Sequence, residues 1–222
     1  MNKNIFDQAN AFTAKWEGGF VNHPKDPGGA TNYGVSLRWL KAEGIDVTGD
    51  GVIDINDIRA LTVSKAAGLF HRGFWQPLHL NAFPPLTATA TYDAAVNTGR
   101  GQAAKFLQRA CNTFPGGEIS VDGAIGPRTR ARVLALEEQD FVLAIKCIEF
   151  REAFHNQLAN NSPYPDGRDY RDFLRGWLNR TADLRGFVKN WDAERKRPGP
   201  EPSPKPPALA RCETCGRELW VA

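Results

Sequence analysis

The chain has 222 residues, of which 41% are hydrophobic, and a formal net charge of +3. That length permits one large domain or two small ones with a proper core. No stretch approaches the roughly 20 apolar residues a membrane-spanning helix needs, which excludes membrane insertion by helices, and four cysteines are too few for a disulfide scaffold.

Ile5, Phe6, Ala9, Phe12, Thr13 and Trp16 fall on one face of a helix, with Asn2 or Asn4 as its cap. Gly18-Gly19 stops it. Glu17 is therefore expected in the last turn, where the negative end of the helix dipole disfavours another negative charge. Trp16 and Phe20 flank it and should thin out its water. Both effects raise a carboxyl pKa, as a glycosidase general acid requires. The plainer alternative is a solvated glutamate in a Gly-Gly turn.

Asp26 follows in Asp-Pro-Gly-Gly, and Thr31 five positions later. A second carboxylate can serve as base or cation stabiliser, and a hydroxyl can hold the attacking water. Asp26 reads equally well as a turn former. A short hairpin is expected within 20–35.

Helices are expected near 36–43, 56–71, 87–97, 101–112, 127–159 with a break, and 169–191. Between the first two lies Asp46-Val47-Thr48-Gly49-Asp50-Gly51-Val52-Ile53-Asp54-Ile55-Asn56-Asp57, close to a calcium loop of EF-hand type. Side-chain ligands would be Asp46, Thr48, Asp50, Asp54 and Asp57, with the Val52 carbonyl at position 7 and Gly51 at the sharp turn. A short aspartate at position 12 and a threonine at position 3 resemble the dockerin version. The expected role of Ca2+ is structural, since no second loop is present; the alternative is a solvated acidic turn.

Leu143, Cys147, Phe150, Phe154 and Leu158 form one apolar stripe, and Tyr170, Phe173, Leu174, Trp177 and Leu178 another; both read as core. From Arg195 the chain turns proline-rich, an extended linker leading to Cys212-Glu213-Thr214-Cys215. A lone CxxC is half a zinc site, a redox pair or two thiols.

Residues 12–36, FTAKWEGGFVNHPKDPGGATNYGVS, resemble the signature of glycoside hydrolase family 108, N-acetylmuramidases of phage endolysins and bacterial autolysins. The resemblance places the catalytic glutamate at Glu17. The order Glu, Asp, Thr is also similar to that of phage-type lysozymes, with the Asp-to-Thr spacing one residue shorter. Phe74-Trp75 and Tyr92-Asp93-Ala94-Ala95-Val96-Asn97-Thr98-Gly99 look like the family's second block, on a helix walling the cleft. Tyr33 and Trp75 are then candidate sugar-stacking faces, with core packing the alternative for Trp75. Asn97 is a candidate partner for a sugar acetamido group, or simply a helix end. FLQRACNTFPGGEISVDGAIGPRTRARVLAL and FLRGWLNR resemble the predicted peptidoglycan domain that follows such modules.

The expected architecture is mainly α, a lysozyme-like helical fold with a small glycine-rich loop or hairpin. It divides into a catalytic region 1–97, a peptidoglycan-binding helical region 98–194, which can pack with the first as one globule, and a tail 195–222. Residues 1–97 carry net −1 and residues 98–197 net +4. Anionic wall polymers would attract the second region weakly, although solvated helix faces are the ordinary reading of such charges. Acids interleave the arginines and no nucleic-acid fold signature is present, which argues against nucleic acid.

The implied function is hydrolysis of the β-1,4 bond between N-acetylmuramic acid and N-acetylglucosamine by a monomer. A lytic transglycosylase using the same glutamate, or a non-catalytic wall-binding adaptor, are the alternatives. MNKNIFDQAN lacks the apolar stretch of a secretory signal. Synthesis in the cytoplasm and holin-assisted release to the wall are expected.

Overall fold

The computed structural model describes residues 4–20, 30–165, 167–197, 208–211 and 218–221, and its described part is mainly helical. Helix α1 (Ile5–Ala14) begins where the Asn4 side chain accepts the Phe6 N–H, and it buries Phe6, Ala9, Phe12 and Thr13. It ends at Ala14, three residues before Glu17. The chain tightens there: the N–H groups of Trp16 and Glu17 donate to the carbonyls of Thr13 and Ala14.

Strands β1 (Thr31–Asn32) and β2 (Val35–Ser36) pair antiparallel, Thr31 opposite Ser36 and Asn32 opposite Val35. Their two-residue turn has Tyr33 at φ +49° and Gly34 at φ +78°, the doubly left-handed pattern of a type I′ hairpin. The Asn32 side chain donates to the Ile58 carbonyl and anchors the hairpin. Ser36 caps α2 (Leu37–Glu43), and Gly44 closes it in the left-handed region.

The helix expected over 56–71 is two helices, α3 (Ile55–Arg59) and α4 (Val63–Phe70). Thr62 adopts extended backbone and its hydroxyl accepts the Lys65 N–H, so a new helix starts there. A π-helical turn, His71–Trp75, extends α4.

Helix α5 (Pro85–Thr98) is the axis of the fold, and every residue from Leu86 to Ala95 is buried. Its small alanines and threonines let α1, α6 (Arg100–Cys111) and α8 (Asp140–Asn160) pack around it. The carboxylate of Asp140 caps the first amides of α5, accepting from Leu86 and Thr87. The expected break in 127–159 is real: α7 (Pro127–Leu134) and a short 3-10 turn (Glu137–Gln139) precede α8.

The last long helix, α9 (Arg171–Arg195), buries Arg180, Thr181, Leu184, Val188 and Trp191. Its buried face therefore begins at Arg180, beyond the stripe at 170–178 read from the sequence, and Phe173 is 57% exposed. Among the described residues, no helix is long and apolar enough to cross a membrane.

Residues Met1–Asp192 form one compact unit and Ala193–Ala222 a second. In the second unit, β3 (Ala208–Arg211) pairs antiparallel with β4 (Glu218–Val221), with Leu209 opposite Trp220. The sequence reading had a linker and tail there. Cys212 and Cys215 lie outside the described residues.

Candidate active site

Glu17 stands in the turn after α1, its side chain only 17% exposed. The aromatics expected to shield it do not bury themselves around it: Trp16 is 36% and Phe20 47% exposed. Two other elements approach it instead.

The first is the hairpin. A Cβ placed on Gly34 would stand 2.6 Å from the Glu17 Cβ and 2.9 Å from Oε2. Glycine is thus required twice, for its positive φ and for this approach. Gly34→Ala is expected to displace the Glu17 carboxyl and cost about 100-fold in turnover, with a modest fall in melting temperature; near-normal turnover would show that the carboxyl tolerates displacement.

The second is α9. Arg180 Nη1 donates to Glu17 Oε1 at 2.7 Å, and the Trp16 indole donates to Asp183 at 3.1 Å. Arg180 also grips Asp93 of α5, Nη2 to Oδ1 at 2.7 Å and Nε to both oxygens at 3.2 Å. Asp93 is fully buried. Thr13 donates to its Oδ1 at 3.0 Å, and Arg151 of α8 to its Oδ2 at 2.6 Å.

The result is a buried row of alternating charge, Glu17, Arg180, Asp93 and Arg151. Burial raises the pKa of Glu17, and this outweighs the attraction of Arg180; Asp93 pushes it the same way as burial. Burial would also raise Asp93, but the two guanidinium groups hold it below the ordinary aspartate value. Two arginines of the basic half are therefore interior groups, neither solvated nor turned towards a wall polymer.

The other sequence candidates are spread over the fold. Thr31 is half-buried on β1, in the hairpin whose turn packs on Glu17, and Asp26 lies outside the described residues. Tyr33 is 37% exposed and lines a groove of about 480 Å³ together with Gly18, Gly19 and Lys15. The Asn97 carbonyl oxygen accepts from Arg151 Nη2 at 3.0 Å. Any contact to a sugar would thus fall to its NH2 group.

Trp75 corrects an expectation. It is fully buried, its indole donates to Asn81 at 2.6 Å, and its ring meets Phe6 and Tyr92 edge to face. It offers no face for a sugar and is a core residue.

In the 46–57 loop, Asp46 accepts the N–H groups of Gly49 and Gly51 and the Thr48 hydroxyl, and Gly51 has φ +86°. Those amides hold the Asp46 pKa down. Asp50 accepts the Val52 N–H. This backbone suits the calcium pattern, but Asp57 departs from it. Its Oδ1 accepts from Val47 and Thr48 and its Oδ2 from Asp54, so it closes the loop through three amides. Among the described residues, no three His, Cys, Asp or Glu side chains converge as a metal cage.

A helical fold with a hairpin folded onto a largely buried carboxyl group of raised pKa defines a protein of the lysozyme-like class. Residues 10–99 match the family glycosyl hydrolase 108, and residues 102–182 match the predicted peptidoglycan domain. The glycosyl hydrolase 108 match is thus followed directly along the chain by the match to the peptidoglycan domain. Among solved structures it is similar to SagA of Brucella abortus, with 28% identity over 83% of this chain and 94% of that one and a TM-score of 0.63. None of the curated protein sequences compared with the chain matches it. These matches make it a glycoside hydrolase acting on peptidoglycan.

Asp93, Arg151 and Arg180 escaped the sequence reading. The available signal was Asp93 itself, an acid inside the otherwise small and apolar run TATATYDAAV; such a residue in a helix buried all round needs a buried cation.

Proposed function

We propose that this protein is an N-acetylmuramidase that hydrolyses the β-1,4 bond between N-acetylmuramic acid and N-acetylglucosamine, with Glu17 as general acid. The observation that carries this reading is the placement of Glu17: one oxygen tied to Arg180, the other beside Gly34, in surroundings that favour the protonated form. The proton on Glu17 would pass to the glycosidic oxygen as the C1–O bond breaks. Water would then add at C1 and give its proton to a base, a role for Asp26, with Thr31 orienting the water. Asp93 cannot take that role, because it is fully buried between two arginines. Tyr33 and the NH2 group of Asn97 are proposed to contact the sugars. Release to the wall with the help of a holin belongs to the same proposal.

Mass spectrometry of products from purified peptidoglycan tests the reaction. Muropeptides with reducing N-acetylmuramic acid are expected. Reducing N-acetylglucosamine would identify the other glycosidic bond as the target, and 1,6-anhydro ends would make the enzyme a lytic transglycosylase.

Calcium at the 46–57 loop is a separate proposal, resting on the donor types and the turn at Gly51. Binding would require Asp57 to exchange amides for the ion, and the ion would brace the scaffold between α2 and α3. The melting temperature is expected to be higher in calcium than in chelator, with the difference absent in Asp50→Ala. Coincident curves for the wild type would show a loop held by its amides alone.

A further inference from the structure

Helix α9 lies partly within the predicted peptidoglycan domain, which ends at residue 182. Arg180 from that stretch nevertheless touches Glu17, 163 positions earlier in the chain. We propose that Arg180 and Asp93 are positioning residues of the glycosidase site. Arg180 fixes the Glu17 carboxyl through Oε1, and Asp93 offsets the charge of Arg180 so that Glu17 can carry its proton at Oε2. The second domain thereby completes the active site in addition to any contact it makes with the wall. This inference rests on Glu17 being the acid.

The geometry is specific to an arginine. One guanidinium spans both acids, with 2.7 Å bonds to Glu17 Oε1 and Asp93 Oδ1. A lysine ammonium can match the charge but not this fork. Oε1 is committed to Arg180, which leaves Oε2, on the hairpin side against Gly34, to exchange the proton. Arg151 sits behind Asp93 and keeps that carboxylate partnered from the other side.

The charges fix the direction of each perturbation. Without Arg180, Glu17 loses its nearest cation, and its proton affinity rises. With Asp93 made neutral, Glu17 faces two uncompensated arginines, and its proton affinity falls. Other ionisable groups around the row are Asp183 on α9, His155 on α8 and Tyr92 on α5. Burial and the two arginines push His155 down to about 4, and burial carries Tyr92 far upward, so both stay neutral near pH 7.

The test combines a carboxyl 13C NMR titration of Glu17, assigned by its absence in Glu17→Gln, with the pH profile of kcat/KM on peptidoglycan. In Arg180→Gln the Glu17 titration and the alkaline limb of activity are expected to move to higher pH. In Asp93→Asn both are expected to move lower. Arg180→Lys keeps the charge and is expected to lose about 10-fold or more in kcat with little change in KM.

Circular dichroism checks each fold, and if Asp93→Asn does not fold the two Arg180 variants decide. Unshifted titrations in folded variants, or shifts of the same sign in both, would overturn the proposal. Opposite titration shifts that leave the activity profile in place would instead overturn Glu17 as the acid. The two failures are thus distinguishable.

Discussion

Glu17→Gln is expected to lower turnover of purified peptidoglycan by about 10²–10⁴-fold, the range a general acid contributes, with the fold intact. The amide is nearly isosteric, and its carbonyl can still accept from Arg180 Nη1. What disappears is the transferable proton. The melting temperature should change little, because neutralising one end of the row leaves Asp93 with both of its arginines. Reducing-end release and thermal melting on the same preparation check both halves. Turnover within a few-fold of wild type would remove Glu17 from the acid role.

Asp93→Ala is expected to be the costliest substitution for stability. Arg151 and Arg180 are 1% and 5% exposed, and Asp93 is their shared anion. Removing one partner of a buried ion pair costs about 3–5 kcal/mol, because the opposite charge is left without compensation. For a unit of this size that corresponds to a fall in melting temperature on the order of 10 °C.

The pH dependence has a definite sign. The arginines hold the folded-state pKa of Asp93 below its unfolded value. Its contribution is therefore complete above the unfolded carboxylate pKa and is lost as pH falls through the folded one. Chemical denaturation at pH 7 and at pH 3 reads this directly. The gap between wild type and Asp93→Ala should be smaller at pH 3. A gap of under 1 kcal/mol at pH 7 would mean that the buried arginines find other partners.

Much of this protein was legible in its sequence because the signals were local. A helix near 36–43 and a short hairpin within 20–35 were both expected; α2 runs Leu37–Glu43, and the hairpin lies at the end of that range, Thr31 paired with Ser36. The run from Trp16 to Gly34 likewise pointed to Glu17 and to a family. Local signals failed where a boundary was settled by packing. Glu17 was placed in the last helical turn, yet α1 ends at Ala14, and burial is the largest cause of its raised pKa. Trp75 had the composition of a sugar platform, but Phe6 and Tyr92 enclose it.

The sequence by itself determined the helical class, the candidate acid and the two-part family layout. Only the tertiary structure decided what surrounds that acid. Arg180, Asp93 and Arg151 come from three helices, and the two arginines stand 87 and 58 positions beyond Asp93. A charge pattern along one chain cannot show which arginines face water and which are folded inward. That choice is made when α5 is enclosed on all sides, because a carboxylate carried into the core is tolerated only with its cations around it.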